Sequence, residues 1–533
     1  MPAKTADRIT EANLSILLDV LSTKLNIIDT ALGVPLIQSV INFDKWWELP
    51  PFALSKYIFF VKILCSSIPK WWQDVSMVLI SSFILPTSET SHHHEVLMYF
   101  LRMIPSSVGF IDSYLARFFP NKNDNRKNLV NYISNILSLT NYCKELRFQA
   151  WSLLVERVIS LDVELQNELD ELDDDIEDDL EDDDNESGSD SDSEDDADAE
   201  DVVIEASVGV YDEDDEMDGD EEYNVEISQS IKELSMKLDS ILTIISQRLG
   251  EELTPESLES GDGVGVFNIL TSLFKSHILP TYYTRSIQYL MFHLSQQQSE
   301  LMDSFLVTLI DISFSPSETS DNKVKSLQYL GSFIARAKKL SRSQIIFVAS
   351  YLTSWLNRFV LEREEEVDQT GGMERFKHFY AAFQSLCYMF CFRHSVFKDV
   401  DGNWECELDK FFQRMIMSKF NPLKYCNENV MMMFARITQH EGIAYCFGII
   451  ESNNNERLRG IIGRSVSDKK TTEIQTSSAA SAWSLVTRQQ FIDLQSYFPF
   501  DPLFLKHYKQ MMKEYFIEWS EASGEYESDE SDD

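Results

Sequence analysis

The sequence predicts an all-α fold, a HEAT-repeat-type α-solenoid interrupted by one long acidic loop, and three observations carry that reading. Apolar residues recur at helical spacing along nearly the whole chain, with almost none of the alternation that marks strands. Two pairs of short segments match each other at a separation of forty residues. Between those pairs, Asp162 to Glu222 holds 34 Asp and Glu in 61 positions and no Lys or Arg, with too few apolar side chains to offset chain entropy.

Leu14, Leu17, Leu18, Leu21, Leu25 and Ile28 share one helical face and open the array. Amphipathic segments follow at 56–65, 75–85, 95–104, 108–118, 127–139 and 143–161. Phe60-Val61-Lys62-Ile63-Leu64-Cys65-Ser66-Ser67 aligns with Phe100-Leu101-Arg102-Met103-Ile104-Pro105-Ser106-Ser107, and Ser286-Ile287-Gln288-Tyr289-Leu290 with Ser326-Leu327-Gln328-Tyr329-Leu330. About forty residues is the period of a two-helix HEAT unit, which buries its apolar face only by stacking on its neighbours. The same period on both sides of the tract predicts N-terminal helical repeats over 1–161, an acidic insertion over 162–222, C-terminal helical repeats over 223–522 and an acidic tail over 523–533.

Beyond the tract the pattern restarts at 225–249, and Thr254-Pro255 reads as a cap with Pro at the first helical position. Helices are predicted over 264–277, 281–295, 300–314, 322–338, 341–363, 374–392 and 405–420. Asn421-Pro422 and Asp501-Pro502 read as two more cap-then-Pro starts, the second opening a last helix that runs to Ser520. Residues 465–481, rich in Ser, Thr and Ala, predict a loop.

The formal charge of −42 resides mostly in the tract, since the other 472 residues carry 54 acidic against 46 basic side chains. So mild a balance argues against tight sequence-independent binding to bare DNA, which needs a strongly basic face. The seven cysteines are odd in number, scattered in apolar runs and without a C-x-x-C pair, the pattern of reduced core thiols. No apolar run is long enough to span a bilayer and the start lacks a signal-peptide core, so a soluble chain of the cytosol or nucleus is expected, with no membrane partner.

No Walker loop, G-x-G-x-x-G, G-x-S-x-G or H-E-x-x-H is present, and paired acids are too common here to mark acid–base chemistry; neither an enzyme nor a cofactor is expected. His92-His93-His94 cannot all face one metal ion on a helix, and the glycine-rich run from Gly261 to Gly265 reads as a loop between helices. Trp46-Trp47 and Trp71-Trp72 read as packing between repeats. Arg336, Lys338, Lys339 and Arg342 form the clearest basic cluster, either complementing a helix C-terminus or offering a phosphate contact.

Serines carry the sharper signal. Ser66-Ser67 and Ser106-Ser107 fall at equal phase in matched repeats, and Ser22 ends the first apolar helix, so stacking should align their hydroxyls along one edge. Helix termini favour Ser for local reasons alone; at a docking edge, a phosphate would add about −1.5 to −2 charges and act as a switch. Within the tract, Ser187, Ser189, Ser191 and Ser193 each have an acid three residues on, as an acid-directed kinase requires, and Ser528 and Ser531 sit in a similar tail.

Ser66-Ser67-Ile68-Pro69-Lys70-Trp71-Trp72, the segment from Phe100 to Ser107, Asn421-Pro422-Leu423-Lys424-Tyr425-Cys426 and Tyr497-Phe498-Pro499-Phe500-Asp501-Pro502 resemble the RNA polymerase I-specific transcription initiation factor family, called TIF-IA in some members, and a fungal member in particular. The resemblance covers nearly the whole chain, including the position of the tract, although such members usually carry a longer N-terminal tail. It implies a non-catalytic HEAT superhelix of the nucleus and nucleolus that binds RNA polymerase I near its stalk and bridges it to the promoter-bound core factor. It also implies a homodimer when free. A serine patch that contacts the polymerase in the family maps to Ser22, Ser66, Ser67, Ser106 and Ser107, with Thr30 and Ala31 where relatives can have serine. The Arg336–Arg342 cluster matches a segment implied to touch DNA. A HEAT-repeat nuclear transport receptor is the second reading, since those are also acidic helical solenoids.

Overall fold

The structure is a computed structural model that describes residues 11–183, 219–282, 284–369, 372–456, 494, 498–519 and 521. The first half comprises α1 (Glu11–Thr23), α2 (Leu25–Ile28), α3 (Val34–Ile41), α4 (Pro51–Ser67), α5 (Trp71–Ser81), α6 (Ser91–Met103), α7 (Val108–Arg117), α8 (Arg126–Tyr142) and α9 (Arg147–Asp183). Then follow α10 (Gly219–Glu252), α11 (Pro255–Glu259), α12 (Asp262–Leu273), α13 (Tyr289–Ser295), α14 (Ser299–Phe314), α15 (Ser320–Arg336) and α16 (Arg342–Arg363). The array continues with α17 (Lys377–Arg393), α18 (Leu408–Ile416), α19 (Pro422–Tyr425) and α20 (Glu428–His440), and a short helix, Lys506–Met512, lies near the end. Among the described residues there are no strands, only isolated bridges such as Ala337 with Phe516.

Each helix buries its apolar stripe on a near neighbour in sequence, as stacked repeats must. α1 packs on α4, α5 on α7, α6 on α8, α8 on α10, α14 on α15, α15 on α17 and α17 on α20. α15 and α17 approach closely at Gly331, where a Cβ would lie 2.4 Å from the Ser385 hydroxyl and 3.1 Å from its Cα; the two helices could not sit so near with any larger residue there. Trp46, Trp71 and Trp72 are buried in this core, Trp46 stacked on Tyr57. Six of the seven cysteines are buried as free thiols and Cys406 is half-buried.

α9 runs through the expected boundary at Asp162, well into the acidic tract. Asp162 is buried because its carboxylate accepts the backbone N–H groups of Ser286 and Ile287, each at 2.9 Å. Leu165 is buried beside it, Lys122 pairs with Glu164, and Ser230 of α10 donates to Glu168 at 3.0 Å. Composition therefore placed the edge of the insertion too early: one buried carboxylate with two backbone donors keeps the start of the tract in the fold. Since α9 and α10 pack on each other, the tract leaves and returns at adjacent helices.

The same bonds explain a second departure. The helix expected over 281–295 is confined to Tyr289–Ser295, because the amides of Ser286 and Ile287 bond Asp162 instead of preceding carbonyls. The glycine-rich run is likewise mostly helix: Gly261, at φ +83°, precedes α12, which takes in the rest. Pro422 opens α19 as expected, but Asn421 (φ 42°) makes no side-chain cap.

The largest departure is at the C-terminus. The helix expected over 502–520 is broken: extended chain leads into Lys506–Met512, a turn over 513–515 follows, and helix resumes only at Trp519; residues 498–519 strap across α10, α13, α15 and α17. Phe500 inserts among Tyr289, Phe292, Tyr329 and Phe333 at 4.8–6.0 Å between ring centroids, so the tyrosines of the two matched segments meet the same ring. Phe498 stacks on Tyr388 at 4.4 Å, and Gln288 donates to the Pro499 carbonyl at 2.7 Å. Asp239 of α10 accepts the amides of His507 and Tyr508 at 3.1 and 2.7 Å, capping the short helix from outside the segment. Asp501 precedes that helix without capping it, and burial raises its carboxyl to about 6, against the opposing pull of Arg336 and Arg285.

Candidate functional site

The serine edge is built on α1, α4 and α6. Asp19 of α1 pairs with Lys56 of α4, on which α1 packs, and Asp29, after α2, pairs with Lys70, after α4, at 2.7 Å. Lys62 of α4 reaches Glu95 of α6 at 2.7 Å, and its ammonium lies over the Tyr99 ring. Lys62 lies one turn before Ser66 and Tyr99 seven residues before Ser106, so these contacts tie α4 to α6 ahead of both serine turns.

The five serines are not equivalent there. Ser66 and Ser67 are exposed in the last turn of α4, and Ser106 is exposed in a 3-10 turn after α6. Ser107 is buried, its hydroxyl donating to the Ile104 carbonyl at 2.7 Å. Ser22 is half-buried and donates to the Leu18 carbonyl at 2.7 Å. The two aligned pairs differ because Pro105 ends α6 a turn earlier than α4 ends: Pro lacks an N–H, and it holds Ile104 out of the helical region at φ −131°, ψ 74°.

Sequence reasoning overlooked the apolar surface around these hydroxyls. Phe52 and Phe59 are more than half exposed, on the same face of α4 as Ser66, and Met103 is as exposed at the end of α6. The signal was present: Phe52, Phe59 and Ser66 are spaced by seven, which is two helical turns, while the buried stripe of α4 runs through Tyr57, Phe60, Val61 and Leu64.

The three histidines diverge. His93 is buried between Trp46 and Trp47, 4.5 and 5.2 Å between ring centres, and desolvation lowers it to about 3. His94 bonds the Tyr142 hydroxyl and Asn135, and His92 lies on the surface near Glu95.

The basic cluster is largely engaged within the fold. Arg336 is buried, its guanidinium between the rings of Phe392 (4.4 Å) and Phe516 (5.1 Å), and it donates to the Ile517 carbonyl. Exposed Lys338 pairs with Glu521 at 3.0 Å, and the Lys339 ammonium lies 4.0 Å over the Tyr515 ring. Arg342 donates to the carbonyls of Val396 and Lys398 and pairs with Glu405 at 2.8 Å. Arg336 is thus a core residue of the strap, and the cations left at the surface are Lys338, Lys339 and Arg342. Ser187, Ser189, Ser191 and Ser193 lie outside the described residues.

Comparison with known proteins gives a consistent result. A Saccharomyces cerevisiae protein named RNA polymerase I-specific transcription initiation factor RRN3 is 70% identical over 548 residues, covering 100% of this chain and 87% of its own length. Its Schizosaccharomyces pombe namesake is 26% identical over 99% of this chain and 83% of its own. The crystal structure of RNA Polymerase I Transcription Initiation Factor Rrn3 superposes with a TM-score of 0.81 at 65% identity, covering 98% of this chain and 93% of that one. The family model for RNA polymerase I specific transcription initiation factor RRN3 matches residues 1–524, and the chain belongs to that family.

Proposed function

We propose that the protein is a non-catalytic RNA polymerase I-specific initiation factor of the nucleus that docks on the polymerase through the α1–α4–α6 edge. The observation that carries the docking site is the exposure of Ser66, Ser67 and Ser106 beside exposed Phe59 and Met103, a polar edge with apolar area to bury. In this reading the edge meets the polymerase near its stalk, and the C-terminal half faces the promoter-bound core factor in the nucleolus. Free protein uses part of the same apolar surface to form a homodimer, so polymerase binding and self-association compete. Phosphate on Ser66 or Ser106 opposes docking by charge and by desolvation cost. Lys338, Lys339 and Arg342 add at most a weak DNA contact, since each is already engaged.

The test is Ser66→Asp with Ser106→Asp, read by co-purification with RNA polymerase I. Reduced recovery with an unchanged helical circular-dichroism signal is the expected result; full recovery refutes the serine edge. Capture of cargo proteins and a small GTPase in place of polymerase would favour the transport-receptor reading.

A further inference from the structure

α14 and α16 are equivalent helices of neighbouring repeats, the first packed on α15 and the second on α17. Two ties hold them side by side: Gln344 donates to Asp303 at 2.6 Å, and the rings of Phe314 and Trp355 lie 5.0 Å apart between centroids. Both ties join residues 41 apart, so the helices run parallel and in register. That register sets Val307 level with Phe347, and Asp311 level with Tyr351, to within one residue. Between the ties runs a strip about 16 Å long, backed by the half-buried rings of Phe314 and Trp355 with His378 against both. Its face is apolar and in solvent: Val307 is 49%, Phe347 55% and Tyr351 38% exposed.

We infer that this strip is a docking site for a cationic amphipathic helix of a partner protein, with apolar side chains on Val307, Phe347 and Tyr351 and Arg or Lys side chains toward α14. Charge selects that partner. Glu300, Asp303 and Asp311 are exposed on the same face of α14 as Val307, at spacings of three and four residues. Among the described residues no cation pairs with them, and Asp303 accepts only the neutral Gln344 amide. Arg342 is held away by Glu405, while Lys323, beside His378, and Arg358, past Trp355, stand at the far end.

Three uncompensated carboxylates repel a phosphate backbone. They attract arginine, whose guanidinium can also lie on the Tyr351 or Phe347 ring. Exposed aromatic anchors at helical spacing suit a helix laid along them, and the net charge of −42 adds long-range attraction for a cation. The strip shares no residue with the α1–α4–α6 edge, so docking at either one can fail without the other.

A synthetic helical peptide with Arg on one face, Leu on the other and a benzophenone photo-cross-linker among the leucines tests it on the full chain. Mapped by peptide mass spectrometry, cross-links are expected within 303–314 and 344–355. Phe347→Ser with Tyr351→Ser should reduce them about tenfold. Asp303→Asn with Asp311→Asn should reduce them several-fold at low salt and less at high salt. All four side chains are exposed, so the helical circular-dichroism signal should not change. Cross-links confined to the acidic tract or to the serine edge overturn the inference, as does undiminished labelling of the Phe347/Tyr351 variant. Equal labelling by a peptide with Glu in place of Arg also overturns it. So does a dimer in sedimentation that Phe347→Ser with Tyr351→Ser dissociates, since a second copy then covers the strip.

Discussion

The serine edge and the basic corner began as the same kind of feature, polar side chains clustered where helices end, and the fold treats them in opposite ways. At the α4 and α6 ends no described residue covers Ser66, Ser67 or Ser106, which stay in solvent, as do Phe59 and Met103. At the α15–α16 corner a segment about 180 residues further along the chain returns to cover the end: Lys338 donates its amide to the Tyr515 carbonyl, and Ile517 donates to that of Arg336. The same contact places Arg336 between two aromatic rings. Whether a charged or polar cluster serves docking or architecture therefore depends on what returns to cover it, which residue type alone does not reveal.

Substitutions at the two regions should separate by size of effect, and the strap should show the largest. Phe500→Ala removes a ring that four others surround and should cost about 3–5 kcal/mol in urea unfolding. Arg336→Ala should cost at least about 3 kcal/mol, since it strips a guanidinium from beside the buried Asp501 carboxyl, whereas exposed Lys338→Ala should cost under about 1 kcal/mol. If Arg336 and Lys338 lose equal stability, the distinction between core and surface within the cluster fails.

The serine edge has its own internal contrast, one step smaller. Ser107→Asp puts a carboxylate into a buried site and should destabilise by about 1–3 kcal/mol, while Ser106→Asp, one residue away and exposed, should stay within about 0.5 kcal/mol. Thermal melts of the two variants decide it, and only Ser106→Asp is then a clean probe of docking.

Acid tests both regions through buried histidines. Burial lowers His93 to about 3, and His293, whose ring meets Tyr515 of the strap, to about 4. Each folded-state value lies below the ordinary 6.5, so the stability from a neutral ring is complete above pH 6.5 and is lost as pH falls towards 4. Between pH 6.5 and 5 each group accounts for about 2 kcal/mol. His93→Phe should therefore flatten the fall in urea midpoint over that window; an undiminished fall would remove His93 from the account.

Deletion of residues 171–216 should have the smallest effect. It spares Asp162, Leu165 and Glu168, which hold α9 to its neighbours, so melting temperature and polymerase co-purification should hardly change. A deletion begun at Asp162 should instead destabilise the fold.

Much of the fold was legible because local spacing sufficed. The stripe Leu14, Leu18, Leu21 and Leu25 is buried as its period requires, and the Thr254-Pro255 start holds, with the Thr254 hydroxyl accepting the Ser257 amide. Of the candidate site, the serine positions were legible and their exposure only partly so. Ser107 looks like Ser67 in the aligned segments, yet Pro105 shifts the helix end and turns it inward. The misread helices share one cause: at Ser286, Ile287, His507 and Tyr508 the backbone amides bond carboxylates more than a hundred residues away.

By itself the sequence determined the helical class, the forty-residue period, the interruption by an acidic tract and the family, because periodicity and motifs are properties of neighbouring residues. Tertiary structure decided where the tract leaves the fold, that the last segment is a strap, and which polar residues stay in solvent. Each of those depends on burial, and burial is fixed by partners that only folding brings together: Asp162 with the 286–287 amides, Phe500 with four rings, Arg336 with Phe392 and Phe516.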